Sequence, residues 1–176
     1  MSDAAFRFME AAFRVQDALF PYIDRRARRF DIRPGMTVVD YGCGPGRYTQ
    51  RFSRLVGPAG KVYAVDIHEL AVEAVRGRAA REGWVNVEAV LARGYDTGLP
   101  AGTADRVCAL DMFFYIQQPG EFLAEIARLL KPDGLLIIDD GHQRRSTTRR
   151  KLAGSGLFTI VEDTRDHLKC RQLRPR

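Results

Sequence analysis

Residues 38–49 read VVDYGCGPGRYT, and this stretch decides the fold of the chain. The two valines follow a Pro-Gly break and predict the end of a buried strand. Three glycines at alternate positions come next, and glycine permits a tight turn in which a ligand can touch bare backbone. Beyond the turn, Tyr48, Phe52 and Val56 recur at helical spacing and predict a helix whose first N–H groups face that ligand. A strand, a glycine turn and a helix N-terminus together predict a nucleotide site at the carboxyl end of a parallel strand.

The spacing of the glycines narrows the ligand. A dinucleotide-binding loop needs Gly-x-Gly-x-x-Gly, and Arg47 stands where its last glycine would be. The glycines here are Gly42, Gly44 and Gly46, with Asp40 two residues ahead of the first. This pattern resembles the first motif of the class I S-adenosylmethionine-dependent methyltransferases, which is a hydrophobic pair, an acidic residue and then Gly-x-Gly-x-Gly. The resemblance implies S-adenosyl-L-methionine as cofactor and S-adenosyl-L-homocysteine as product.

The residues around these glycines are candidates for the same cofactor site. The resemblance assigns the turn residues Tyr41 and Cys43 to it together with Asp40 and the glycines. A second carboxylate, Asp66, ends the next predicted strand and can accept hydrogen bonds from both ribose hydroxyls. The alternative role for Asp66 is an N-cap of the helix predicted over 69–82. Ile67, next to it, is expected to pack on the adenine face.

A second family motif follows the third predicted strand. Residues 92–100 resemble the segment Gly-Asp-Ala-x-x-Leu-Pro, in which the acidic residue usually binds the adenine amino group. Counted back from the Leu-Pro pair, Gly94 takes the place of the glycine and Tyr95 takes the acidic position. Asp96 falls one residue late, and a one-residue shift of the loop would restore it. Both Tyr95 and Asp96 are therefore candidates for the adenine contact.

The fourth predicted strand, 104–111, leads to the side where the methyl group would be transferred. It resembles the family's Phe-Asp-x-Val run, which implies that Asp111 and Met112 line this side of the cofactor. Asp111 could place the cofactor's amino group or the substrate, or it could cap the next turn. The aromatic run 113–115 could form a wall of the substrate pocket or close the core.

The resemblance also defines the chemistry. S-adenosylmethionine carries its own activated methyl group, so the protein has to orient a nucleophile and exclude water. A general base is needed only for a protonated acceptor such as an alcohol or a carbon acid. Asp111, Tyr115 and His142 are the candidates by position, although a lone loop histidine is often merely exposed. No metal-ligand spacing, Ser-His-Asp pattern or phosphate loop in the sequence competes with this interpretation.

The remaining patterns complete the predicted fold. A helical pattern stops at the turn 131–134, and 135–140 is predicted as the fifth strand; this combination is frequent in class I methyltransferases. The basic stretch 141–156 precedes a predicted strand at 157–161 and another through Cys170, which fits the family's antiparallel closing hairpin. The resemblance implies an α/β, Rossmann-like, doubly wound fold. Its mostly parallel seven-stranded sheet has an antiparallel last strand and helices on both faces.

The N-terminal region precedes the first strand of this fold. Residues 4–20 have a rough helical period, and a second helical segment is predicted over 21–30. In the methyltransferases that the chain resembles, such helices often lie over the cofactor; plain packing helices are the alternative. The expected organisation is a helical cap at 1–34, one cofactor-binding domain at 35–171 and a tail at 172–176.

The composition of the chain indicates its cellular compartment and limits the classes of partner that it is expected to bind. Three cysteines without a Cys-x-x-Cys pair suggest a reducing cytoplasm, and no apolar run approaches a membrane span. The net charge of +6 includes two basic clusters, at 25–29 and 144–151. They are either solvated helix faces or a site for an anionic partner, and they lack the interleaved aromatics of nucleic-acid sites. A small-molecule acceptor is expected, with a second copy of the chain as one way to complete the pocket. RNA or protein methylation and non-catalytic cofactor binding are the alternatives.

Overall fold

The computed structural model describes residues 22–173, which alternate between helices and strands. The helices are α1 (Tyr22–Ala27), α2 (Thr49–Val56), α3 (Glu69–Glu82), α4 (Pro119–Leu129) and α5 (Arg145–Ser155), with a 3-10 turn at Phe113–Tyr115. The strands are β1 (Thr37–Tyr41), β2 (Lys61–Asp66), β3 (Val87–Leu91), β4 (Ala104–Ala109), β5 (Leu130–Ile138), β6 (Phe158–Asp163) and β7 (Leu168–Gln172).

The strands of the described region form a seven-stranded sheet in the order β3-β2-β1-β4-β5-β7-β6. Neighbours from β3 to β5 run parallel, whereas β7 is antiparallel to both β5 and β6. The strand order reverses next to β1, because the chain moves outward to β2 and β3 and then returns to β4. Such a switch point opens a crevice at the carboxyl ends of the strands, where ligands bind in α/β folds. The predicted fold class is confirmed.

Helices cover both faces of the sheet. Successive side chains of a strand point to opposite faces. Val39 and Leu136 accordingly pack in a cluster with α4 and α5, whereas Val38 and Ile137 pack with α1 and α2. The sheet is therefore buried on both sides, as a parallel sheet requires.

The prediction for the fifth strand is wrong at both ends. The strand β5 begins at Leu130 and pairs there with Ala104, and the next paired residue is Leu135. The predicted turn 131–134 is a bulge within the strand, because Pro132 has no N–H to donate to the ladder and glycine in a strand commonly marks a bulge. The strand ends at Ile138, before the two aspartates of the predicted segment 135–140.

The described part of the N-terminal region packs into the core. Ile23, Ala27 and Phe30 are buried in the cluster on the α2 side of the sheet. This favours the packing alternative for the predicted segment 21–30, of which Tyr22–Ala27 is helical. The predicted helix over 4–20 lies outside the described residues, and the division of the chain at residue 34 stays a prediction. Within residues 22–173, no helix combines the length and apolarity that crossing a lipid bilayer demands.

The core contains a histidine that is fully buried. The His167 side chain has no solvent exposure, and its ring meets the Phe30 ring edge-on at 5.0 Å. Its Nδ1 atom lies 3.1 Å from the Thr164 hydroxyl. Burial, together with the positive charges of Arg26 and Lys169, lowers the pKa of His167 from 6.5 to about 4. Protonation of this ring is therefore incompatible with the packed core near neutral pH.

We predict that His167 makes the fold acid-sensitive. The unfolded chain takes up the His167 proton near pH 6.5, whereas the folded chain does so only near pH 4. The contribution of the neutral, buried ring to the free energy of unfolding is therefore fully present above pH 7. It is lost as the pH falls towards 4, because only the unfolded chain binds the proton in this range. Compared with His167→Gln, the wild type should lose about 2 kcal/mol more between pH 7 and pH 5. Urea unfolding of both proteins across this range measures the difference; a pH-independent difference would contradict the prediction.

Candidate functional site

The predicted turn after β1 forms a backbone cradle at the switch point. Gly42 and Gly44 have φ angles of 76° and 51°, in the region that favours glycine. A methyl group on Gly42 would lie 2.9 Å from Met112 Cγ, whereas one on Gly44 would meet nothing within 4 Å. Gly42 therefore packs the turn onto the loop after β4, whereas the α-carbon of Gly44 faces open space. The predicted site residues Gly42 and Met112 are in contact.

Asp66 lies against the open part of this turn. The Gly44 amide donates to Asp66 Oδ2 at 2.9 Å, and the His68 amide donates to Oδ1 at 3.0 Å. His68 is the N-cap residue of α3, so Asp66 also fixes the entry of that helix. Each carboxylate oxygen can accept a second hydrogen bond. The neighbouring Ile67 side chain is 67% exposed, which leaves an apolar surface beside the carboxylate.

Asp40 is buried beneath the turn. It is 2% exposed, and the Thr49 hydroxyl donates to its carboxylate at 2.5 Å. Thr49 is the first residue of α2, so Asp40 stabilises the start of the helix that the glycine turn opens. Burial raises the pKa of Asp40 to about 7. The hydrogen bond from Thr49 lowers this pKa, and the negative charge of Asp66 raises it. The group can therefore change charge near neutral pH.

Tyr41 at the end of β1 and Cys43 in the turn have buried side chains. The Cys43 amide donates to the Val65 backbone oxygen at 3.0 Å, which holds the turn against β2. The Tyr41 hydroxyl donates to the Tyr95 backbone oxygen at 2.5 Å, which joins β1 to the loop after β3. That loop turns back on itself at Gly94, and the Tyr95 ring packs edge-on against Phe122 in the core.

Asp96 faces the solvent instead. Its Oδ1 atom accepts a hydrogen bond from the Gly98 amide at 2.8 Å, which closes the turn of the loop. Tyr95 and Asp96 thus have opposite orientations, one towards the core and one at the surface. Which of them contacts adenine stays a prediction.

The loop after β4 turns sharply at Asp111. This residue has a φ angle of 55°, uncommon for a residue with a side chain, and its side chain is 58% exposed. Its backbone amide donates to Asp139 Oδ1 at 2.8 Å. The turn therefore sends the Asp111 carboxylate outward at the carboxyl edge of the sheet.

The predicted aromatic run divides between core and surface. Phe113 is fully buried, whereas Tyr115 is 74% exposed. The Phe114 ring lies 4.0 Å from the Tyr115 ring and 4.8 Å from the His142 ring. The structure thus brings two of the three predicted base candidates, Tyr115 and His142, into one aromatic rim with Phe114.

A buried ion pair beneath this rim was missed by the sequence analysis. Arg26 Nη2 donates to Asp139 Oδ2 at 2.5 Å, and the two side chains are 5% and 4% exposed. Arg26 Nη1 also donates to the Tyr48 hydroxyl at 2.7 Å. Burial and nearby Asp111 raise the pKa of Asp139, while Arg26 opposes the rise. The available signal was an Asp-Asp pair after an apolar strand, and nothing in the sequence joined it to Arg26.

Arg78 is a second residue that no motif indicated. Its Nη1 atom donates to the Pro45 backbone oxygen at 3.0 Å, and its guanidinium lies 5.0 Å from the centre of the Trp84 ring. The outer side of the glycine turn is therefore fixed to α3.

Comparison with known proteins identifies the family. A family model described as a methyltransferase domain matches residues 39–138, which is more than half of the chain. The chain belongs to this methyltransferase family. The predicted class I S-adenosylmethionine-dependent family is confirmed, and S-adenosylmethionine is its cofactor.

Named relatives extend this result. Nocamycin O-methyltransferase from Saccharothrix syringae is 38% identical over 104 residues, covering 59% of this chain and 37% of that protein. A ubiquinone/menaquinone biosynthesis C-methyltransferase from Hahella chejuensis is 32% identical over 130 residues, covering 70% and 52%. A solved SAM-dependent methyltransferase from Aquifex aeolicus superposes with a TM-score of 0.73 at 27% identity, covering 84% and 87%. The chain therefore spans only about a third to a half of the length of these curated relatives.

Part of the second basic cluster of the chain, at 144–151, is paired within the fold. Arg145 and Arg149 both pair with Asp163. Lys151 donates to the Phe113 backbone oxygen at 2.9 Å, and burial lowers its pKa. These three side chains are therefore not simply a solvated face. An anionic partner for the remaining exposed arginines stays a prediction.

We predict that Thr49 keeps the pKa of Asp40 from rising further. The Thr49→Val substitution removes the donor that favours the ionised carboxylate, so the pKa of Asp40 should rise by about one unit or more. Thr49→Ser keeps the hydroxyl and is the matched control, with an expected change below about half a unit. Carbon-13 NMR titration of the carboxyl group measures both variants. Equal pKa values in the two would show that the hydroxyl does not stabilise the carboxylate.

Proposed function

We propose that this chain binds S-adenosylmethionine and transfers its methyl group to a small-molecule nucleophile. The observation that carries the proposal is the open space at the α-carbon of Gly44, whose amide is bonded to Asp66, at the switch point of a methyltransferase fold. Both curated relatives are named for methylation linked to small molecules, one at oxygen and one at carbon. The acceptor class follows from these names and from the small exposed rim.

The residues around the cradle fit the parts of the cofactor. Asp66 has acceptor capacity left for the ribose hydroxyls, and Ile67 offers an exposed apolar side chain for the adenine face. Asp40 supplies a buried carboxyl group beneath the turn, and its pKa lies near 7. Tyr95 and Asp96 are the candidates for the adenine amino group.

The chemistry divides between the cofactor and the chain. When bound, the cofactor supplies a methyl group already activated on a sulfonium. The chain has to orient the acceptor and exclude water, which can contribute several kcal/mol to lowering the barrier. Phe114 with Tyr115 and His142 form the aromatic rim that would do this, and the Asp111 carboxylate stands exposed at the same edge. We assign a base role to one of Asp111, Tyr115 and His142 only for a protonated acceptor.

The proposal includes a cytoplasmic location. Cys43, Cys108 and Cys170 are buried and unpaired, and unpaired thiols are typical of a reducing compartment.

The first test is calorimetric titration with S-adenosylmethionine, S-adenosylhomocysteine and NAD. We expect binding of both adenosyl ligands and none of NAD. Asp66→Ala should weaken adenosyl binding about ten- to a hundredfold, because charge-assisted hydrogen bonds are lost. Glu73→Ala removes an exposed carboxylate from α3 and serves as the control. A folded wild type that binds neither adenosyl ligand would refute the proposal.

A second prediction concerns the acceptor. We expect S-adenosylhomocysteine to form when the protein is mixed with labelled cofactor and a phenol or a carbon acid, and not with RNA. Among Asp111→Asn, Tyr115→Phe and His142→Gln, the variant that removes the base should lower kcat about 10²- to 10⁴-fold with the phenol. The same variant should change turnover of a thiolate little, since a thiolate needs no base. Equal losses with both acceptors would indicate a binding role instead.

A further inference from the structure

We propose that Asp139 is a positioning residue for methyl transfer, holding the loops after β4 and β5 in register with the glycine turn. This inference rests on the proposed function, because the two loops carry the acceptor-side residues Asp111 and His142. Asp139 lies just after β5 and is 3% exposed, so it does not reach an acceptor itself. Its action is therefore through the backbone that it binds.

The Asp139 carboxylate joins the two loops directly. Its Oδ1 atom accepts hydrogen bonds from the Asp111 amide at 2.8 Å and from the Gly141 amide at 3.2 Å. Both loops leave the same edge of the sheet, because β4 and β5 are parallel neighbours. One oxygen atom thus sets the distance between the backbones on which Asp111 and His142 stand.

The conformation of Asp111 shows why such a bond is needed. Its φ angle of 55° lies in the left-handed region, which aspartate adopts more readily than most residues but still at a cost, so constraints from the surroundings help to hold it. The bond from its own amide to Asp139 is a constraint of this kind. Without it, we expect the loop to relax and the exposed carboxylate to move.

Arg26 connects the carboxylate to the cofactor side. It binds Asp139 Oδ2 at 2.5 Å and the Tyr48 hydroxyl at 2.7 Å. Tyr48 is the N-cap residue of α2 and comes two residues after Gly46, the last glycine of the turn. A chain of hydrogen bonds therefore runs from Tyr48, just after the glycine turn, through Arg26 and Asp139 to the acceptor-side loops. The bonds of Arg26 to Tyr48 and Asp139 are buried, and those of Asp139 to the two loop amides are partly buried.

The burial of the charged Arg26–Asp139 pair supports a role in positioning the loops rather than in stability. Burying two charges removes their hydration, and apolar residues of similar volume often give equal stability. The reaction rate depends much more sharply on geometry than stability does, since a displacement of the reacting groups by about 1 Å can lower the rate about a hundredfold. The pair lies where such control would matter, between the cofactor turn and the acceptor rim.

Two double variants separate the hydrogen bonds of Asp139 from its charge. Arg26→Met with Asp139→Leu removes both charges and the acceptor oxygen. Arg26→Met with Asp139→Asn also removes both charges but keeps a carbonyl oxygen for the two amides. Asp140→Asn is the neighbouring control, because the Asp140 carboxylate binds Arg145 and the substitution leaves the bonds from the Asp111 and Gly141 amides to Asp139 in place.

We expect the Leu variant to expose the loops and slow the reaction. With S-adenosylhomocysteine bound, the Asp111 and Gly141 amides should exchange hydrogen at least about tenfold faster in the Leu variant than in the Asn variant. Its kcat with the preferred acceptor should be about 30-fold lower, with KM for the cofactor within about threefold. Urea unfolding should show that both double variants remain folded under the assay conditions, so that the lower kcat of the Leu variant does not reflect a loss of folded protein.

The outcomes are distinguishable. Equal exchange at these amides in the two variants, or faster exchange with equal turnover, would overturn the inference while leaving the proposed function intact. A wild type that binds no adenosyl ligand would overturn the proposed function and this inference with it. The wild type alone provides a check that needs no variant: the Asp111 and Gly141 amides should be protected from exchange, and rapid exchange at both would overturn the inference.

Discussion

The architecture of the site depends on the close approach of the turn after β1 to two neighbouring strands. The Gly42 amide donates to the Val65 backbone oxygen of β2 at 2.8 Å. A methyl group at Gly42 would meet Met112, which follows β4, at 2.9 Å. The ends of β2, β1 and β4 are therefore fixed around one residue that must be glycine. The positions of Asp66 and Asp111, which stand at the ends of the flanking strands, follow from this contact.

The elements that carry the residues proposed to hold the cofactor could be predicted, because the sequence signals for these elements are local. The glycine turn occupies a few residues, and α3 has the predicted bounds, with Gly83 in the left-handed conformation after its last residue. Asp66 ends β2 as its position after an apolar run indicated. The loop after β3 was less predictable, because the orientations of Tyr95 and Asp96 depend on Phe122 and on the turn at Gly98 rather than on spacing.

The interactions beneath the proposed acceptor rim could not be predicted, because they join residues that are distant in sequence. Arg26 and Asp139 are 113 positions apart, and four arginines in α1 and the turn after it give no sign of which one is buried. The same applies to α5, where Asp163 of β6 pairs with Arg145 and Arg149. From sequence alone, a basic run predicts a solvent-exposed helix face, because the positions of its carboxylate partners in the fold are not known. The bulge in β5 likewise reads as a simple turn until the pairing of β4 is known.

This division between the proposed cofactor side and the proposed acceptor side has a physical consequence for specificity. The rim formed by Phe114, Tyr115 and His142 consists largely of exposed side chains on short loops, and their replacement disturbs little of the core. The backbone of those loops is held from beneath, where Asp139 binds the Asp111 and Gly141 amides. Under the proposed function, a scaffold built in this way would keep the geometry of methyl transfer when residues of the rim are replaced. One relative is named for O-methylation and another for C-methylation, so we expect the acceptor of this chain to be determined by the rim rather than by the glycine turn.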